Sequence, residues 1–139
     1  FNPALALAPF DGFDPRNEER TKDLPERMGT DPVNLSPAHH VRPELPPTIM
    51  FFGTEDFLLQ GAKFFDQEMQ RAGNRCEFKL YDGQVHGFFN YGKSNNRYFE
   101  QTLTEADRFL ESLGYLEGEP QVAAWLRSRE RADQPGKRR

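Results

Sequence analysis

Residues 48–52, Thr-Ile-Met-Phe-Phe, form an apolar run of strand length with no polar alternation, preceded by Pro46-Pro47 and followed by Gly53-Thr54. Successive strand side chains face opposite ways, so a run that is apolar at every position predicts a strand covered on both faces. Parallel sheets provide that cover, because the crossovers between their strands lay helices over the sheet. The run therefore sets an α/β class.

The flanking sequence supplies matching parts. Gln60 to Ala72 carries Ala62, Phe65, Met69 and Ala72 at intervals of three and four, which predicts a helix with one apolar face, stopped by Gly73-Asn74. In Cys76 to Tyr81, Cys76, Phe78 and Leu80 alternate with Glu77, Lys79 and Tyr81, the pattern of a strand nearer a sheet edge. Arg97 to Leu113 gives the strongest helical stripe, Phe99, Leu103, Ala106, Leu110 and Leu113, with Phe109 beside it and Gly114 as the stop. Strand, helix, strand, helix implies parallel strands with right-handed crossovers.

Elsewhere the signals are weaker. Phe1 to Pro9 reads as the end of a strand entering the turn-rich Asp11-Gly12-Phe13-Asp14-Pro15, and the opening without Met implies residues upstream. Pro25-Glu26-Arg27-Met28 opens one short helix at most. The prolines of residues 31–41 predict irregular chain. After Leu116 the composition changes: 1–116 is expected as one domain portion, and 117–139 as a linker and charged tail. Within that tail, Val122 to Leu126 would form one helical turn, and Arg127 to Arg139 would be disordered.

Composition excludes several classes. With 139 residues the chain is long enough for one compact domain, and 13 phenylalanines are enough to fill a core. A net charge of -4 opposes the positive field that nonspecific nucleic-acid binding needs, so no nucleic-acid partner is expected. No run of about 18 apolar residues is present, so no membrane partner is expected either. The single cysteine, Cys76, forms no internal disulfide, and its strand position suits a small core residue better than a nucleophile.

The chemistry lies just beyond the two strand patterns. The first breaks into Gly53-Thr54-Glu55-Asp56, and the second into Gly83-Gln84-Val85-His86-Gly87-Phe88-Phe89. Loops after parallel strands open at the same, carboxyl-terminal edge, where α/β sheets bind ligands. An imidazole there takes a proton from a hydroxyl nucleophile, and a carboxylate behind it fixes the ring's tautomer. Taken alone, Asp56 reads as a turn or helix-cap residue, and Glu55 is a rival acid; neighbours project differently, so one of them faces His86, and Asp56 is favoured. No Gly-x-Ser-x-Gly occurs, and Ser36, Ser94, Ser112 and Ser128 lack that setting. His39-His40 has no metal-ligand spacing, so no metal site is expected.

Leu35-Ser36-Pro37-Ala38-His39-His40-Val41, then Leu45 to Asp56, then His86-Gly87-Phe88-Phe89-Asn90 resemble the carboxyl-terminal half of an α/β-hydrolase serine esterase. The branch they are most similar to is that of acetyl and feruloyl carbohydrate esterases, related to dienelactone hydrolase and the prolyl oligopeptidase catalytic domain. The resemblance covers Phe1 to about Leu116. It implies Asp56 as triad acid and His86 as triad base, an incomplete sheet, and a missing amino-terminal half carrying the nucleophile and the oxyanion donors. It implies no cofactor. Two departures stand out: Phe52 where the family often has His, and Val85 where it often has Gly.

The expected parent activity is hydrolysis of small acyl esters through an acyl-enzyme, acetyl groups on plant polysaccharide among them, with Phe57, Leu58 and Phe88 as candidate walls of the substrate pocket. The rival reading is a free-standing, non-catalytic interaction module derived from a hydrolase half. A stable soluble monomer of this chain alone favours the module, and an upstream Gly-x-Ser-x-Gly favours the esterase.

Overall fold

The computed structural model describes residues 1–132. Its described residues divide into two compact units, Phe1–Gly87 and one that begins at Phe88.

The first unit is built on two parallel strands, β1 (Thr48–Gly53) and β2 (Cys76–Tyr81), in register from Thr48 opposite Cys76 to Gly53 opposite Tyr81. Two α-helices belong to this unit: the short α1 (Leu24–Met28) precedes β1, and α2 (Leu59–Arg71) joins the two strands; α3 (Arg97–Ser112) follows in the second unit. As the apolar run predicts, β1 is covered on both faces. Met50 and Phe52 belong to a core with Leu59, Ala62, Phe65 and Met69 of α2, while Phe51 is buried against the rings of Phe1 and Tyr81. Burying side chains of this size is worth roughly 1.5–3 kcal/mol each, and α2 aligns them on one stripe.

The edge reading of β2 holds in part. Cys76 and Phe78 pack against the core, Phe78 edge-on to Phe52, but Leu80 on the same face is 50% exposed because the α2 core does not reach it.

Phe1 to Pro9 does not form a strand. A strand-like link is the Phe51 amide donating to the Phe1 carbonyl at 3.1 Å. The segment is held by residues 36–40 instead. The Leu7 amide donates to Ser36 Oγ at 2.8 Å, the Ala38 amide donates to the Leu5 carbonyl at 2.8 Å, and His39 Nε2 lies 3.0 Å from the Pro9 carbonyl. The stretch expected to be irregular contains two short 3-10 helices, Pro32–Leu35 and Pro37–His40. Each opens on proline, whose fixed φ suits a first helical position and whose missing N–H is not needed there.

In the second unit the buried face of α3 is centred on Thr102 and Phe109, two turns apart, and Leu110 of the expected stripe is 37% exposed. A further helix, α4 (Val122–Ala132), buries Val122 and Leu126. It corrects the expected short turn: Arg127 to Ala132 is helical, since Ala, Arg, Glu and Ser tolerate a helix once its apolar face is anchored. Residues 133–139 of the expected disordered tail lie outside the described residues.

Candidate active site

Because β1 and β2 run parallel, the chain leaves both at one edge of the sheet, and the two exits are fastened to each other. The Thr54 amide donates to the Tyr81 carbonyl at 3.0 Å, the Glu55 amide to the Gln84 carbonyl at 3.0 Å, and the Gly83 amide to Thr54 Oγ1 at 2.8 Å. Gly83 turns the chain with φ 65°, a conformation that costs glycine least. The acid and the histidine thus stand on two loops that share backbone hydrogen bonds.

Asp56 Oδ1 and Oδ2 lie 3.2 and 3.1 Å from His86 Nδ1, across 30 residues of sequence. The Asp56 side chain is 0% exposed and that of His86 40% exposed. A carboxylate has no proton to give, so Nδ1 carries the hydrogen and Nε2 keeps its lone pair for an incoming proton. Among the described residues Nε2 has no hydrogen-bond partner. The ring is therefore a base with its acceptor nitrogen turned away from its acid.

Asp56 also serves its own loop. Oδ1 accepts the Leu58 amide at 2.9 Å, an Asx-type turn that leads into α2. The cap reading and the acid reading apply to the same side chain. Glu55 is exposed and is tied to the second loop only through its backbone, so the structure brings Asp56 and not Glu55 to His86.

A third group at the carboxylate was not visible in the sequence. Asn2 Nδ2 donates to Asp56 Oδ2 at 2.7 Å, from a residue 54 positions away and 8% exposed. The only local signal is the Asn2-Pro3 pair, since proline biases the residue before it toward extended backbone. Nothing in the spacing links it to Asp56.

Of the three expected wall residues, Phe57 and Leu58 belong to the first unit and Phe88 to the second. The Phe57 ring stands 5.0 Å from the imidazole, with the Arg20 guanidinium 4.8 Å from its centre. Leu58 is half-buried against the core. Phe57 and Leu58 line one small cavity together with Leu5, Thr21 and Gly61, of about 10 Å³, the least that holds one water. Phe88 is buried in the second unit, edge-on to Phe89 and Tyr98.

Ser36 and His40 are hydrogen-bonded elsewhere, and Cys76 is held as a thiol. Ser36 Oγ lies 2.7 Å from His39 Nδ1 and is fully buried, and His40 Nε2 lies 2.8 Å from the Val33 carbonyl. Burial first, and then the neighbouring Asp66, push the Cys76 thiol up to about 12, which suppresses the nucleophilic thiolate near neutrality. Among the described residues, no group of three or more His, Cys, Asp or Glu is arranged to hold a metal ion.

A family model described as the alpha/beta hydrolase fold matches residues 21–90. Among solved structures, the chain is similar to Thermogutta terrifontis esterase 2 phosphonylated by sarin, with 39% identity over 85% of this chain and 44% of that one and a TM-score of 0.78. The propionate-bound form of the same esterase is 40% identical over 85% of this chain and 43% of that one, with a TM-score of 0.71. An Arabidopsis thaliana protein named "Probable isoprenylcysteine alpha-carbonyl methylesterase" is 37% identical over 49 residues, 34% of this chain and 10% of that protein. The chain thus spans less than half the length of each of these relatives.

Proposed function

Because the chain belongs to the alpha/beta hydrolase fold family, we propose that it supplies the acid and the base of a serine carboxylesterase, with Asp56 as the acid and His86 as the base. One observation carries the reading: a buried carboxylate 3.1 Å from Nδ1 of a partly exposed imidazole, at the edge where two parallel strands end. The nucleophilic serine and the oxyanion donors would come from sequence beyond these 139 residues.

In this mechanism Nε2 of His86 takes the serine proton as the oxygen attacks the ester carbonyl. Asp56 stabilises the imidazolium and holds its orientation. The proton then passes to the departing alcohol, leaving an acyl-enzyme, and a water activated by the same nitrogen hydrolyses it to acid and free serine. The buried carboxylate makes this effective, because a charge kept from water acts strongly on its neighbour.

The proposed substrates are esters of small acyl groups, acetyl esters of polysaccharide among them. Neighbouring structures named as propionate-bound and butyrate-bound support the small acyl side. The neighbour named as phosphonylated by sarin supports an activated nucleophile in the parent, since an electrophilic phosphorus captures such a group. Phe57, Leu58 and Phe88 are the proposed wall residues, with the Phe57 ring beside His86.

Co-production with an upstream segment carrying Gly-x-Ser-x-Gly tests the reading. The chain alone should leave 4-nitrophenyl acetate intact, the reconstituted protein should hydrolyse it, and His86→Ala should abolish turnover. Activity that survives His86→Ala rejects the role of His86. A soluble monomer that gains no activity from the upstream segment points to a non-catalytic interaction module.

A further inference from the structure

The geometry assigns Asn2 as the residue that positions the acid: its side-chain amide locks the rotation of the Asp56 carboxylate so that the carboxylate meets His86. This rests on the reading of Asp56 and His86 as an acid–base pair.

The terminal torsion of aspartate is soft and roughly two-fold, so a carboxylate held by one donor still swings about its own axis. The Leu58 amide fixes Oδ1 at 2.9 Å, and the Asn2 amide fixes Oδ2 at 2.7 Å. Two donors on different oxygens define the carboxylate plane. His86 Nδ1 then sits nearly equidistant from both oxygens, at 3.1 and 3.2 Å. The Asn2 bond is shorter than either His86 contact and joins two buried groups, where an unmade hydrogen bond costs most. The carboxylate only accepts, so the nitrogen end of the Asn2 amide must face it.

Asn2 is itself held on both sides. The Phe1 carbonyl accepts the Phe51 amide of β1 at 3.1 Å, and Pro3 restricts the backbone of the residue before it. The amide therefore reaches Asp56 from a fixed origin on the strand that carries Asp56 beyond its end. Asn2 touches no reacting atom in this arrangement and acts only through Asp56.

The test is proton NMR of this chain, following the strongly deshielded Nδ1–H that an imidazole shows when it donates to a carboxylate. The signal is assigned by its loss in His86→Ala. In Asn2→Leu, which keeps the branched outline, adds bulk and removes the donor, it should move upfield and broaden, while the Nε2–H signal of His39 stays in place. An unchanged His86 signal in folded Asn2→Leu overturns the positioning role and leaves the acid–base pair intact. Absence of any signal that His86→Ala removes overturns the pair itself.

Should Asn2→Leu not fold, Asn2→Asp decides. Its introduced carboxyl donates to Asp56 when protonated and repels it when ionised, so the deshielded signal should weaken with rising pH relative to the parent. A signal that follows the parent at every pH overturns the proposal. In the reconstituted esterase, Asn2→Leu should lower kcat about tenfold with KM unchanged, the split expected when an interaction acts in the transition state.

Discussion

Gly53 and Gln84 meet backbone to backbone: a Cβ built on Gly53 would lie 1.8 Å from the Gln84 carbonyl oxygen, far inside van der Waals contact. The same carbonyl accepts the Glu55 amide at 3.0 Å, so the closeness is what lets the two loops share hydrogen bonds. Gly53→Ala should force the loops apart and lose about 3 kcal/mol of stability. Urea denaturation measures the loss. A parent-like midpoint would mean that the loops separate freely.

The carboxylate of Asp56 is matched to an imidazole that donates. Asp56→Asn preserves shape, but its amide nitrogen can face Nδ1 and drive the hydrogen to Nε2, where the ring no longer accepts a proton. In the reconstituted esterase kcat should fall by about 10⁴-fold. Circular dichroism should show an unchanged fold, and a fall of less than tenfold would show that the tautomer is not set by Asp56.

Ser36 joins two segments that are distant in sequence. Its hydroxyl oxygen accepts the Leu7 amide at 2.8 Å and lies 2.7 Å from His39 Nδ1, with no exposure to solvent. Ser36→Ala leaves a buried amide and a ring nitrogen unsatisfied and should cost about 1–3 kcal/mol. Faster hydrogen exchange at the Leu7 amide, compared with amides inside α2, would locate the loss.

The thiol of Cys76 gives stability a dependence on alkaline pH. In the unfolded chain it ionises near its ordinary value of 9.0, whereas in the folded chain burial and Asp66 hold it protonated to about 12. Between these values the unfolded chain binds fewer protons, so stability must fall as pH rises from 9 toward 12. Thermal melts of the parent and Cys76→Ala across that range isolate the effect from other groups. The parent curve should descend more steeply, and parallel curves would show that the thiol titrates alike in both states.

Most of the frame was legible because it depends on local pattern. The uninterrupted run at 48–52 marked β1, the spacing of Ala62, Phe65 and Met69 marked α2, and glycine after each strand marked the loops that carry Asp56 and His86. The alternation at Cys76 and Phe78 was legible too, but the exposure of Leu80 was not, since burial depends on how far a neighbouring helix reaches. Charge-rich composition concealed the length of α4, whose apolar anchors Val122 and Leu126 stand at its start.

Sequence alone determined that a carboxylate and an imidazole ride on loops leaving the same sheet edge, because periodicity and strand direction are properties of neighbouring residues. Tertiary structure decided which acid turns inward, that Gly53 lies against Gln84, and that Asn2 reaches a carboxylate 54 residues away. Those facts depend on distances between segments brought together only when the chain closes on itself, and no local spacing records them.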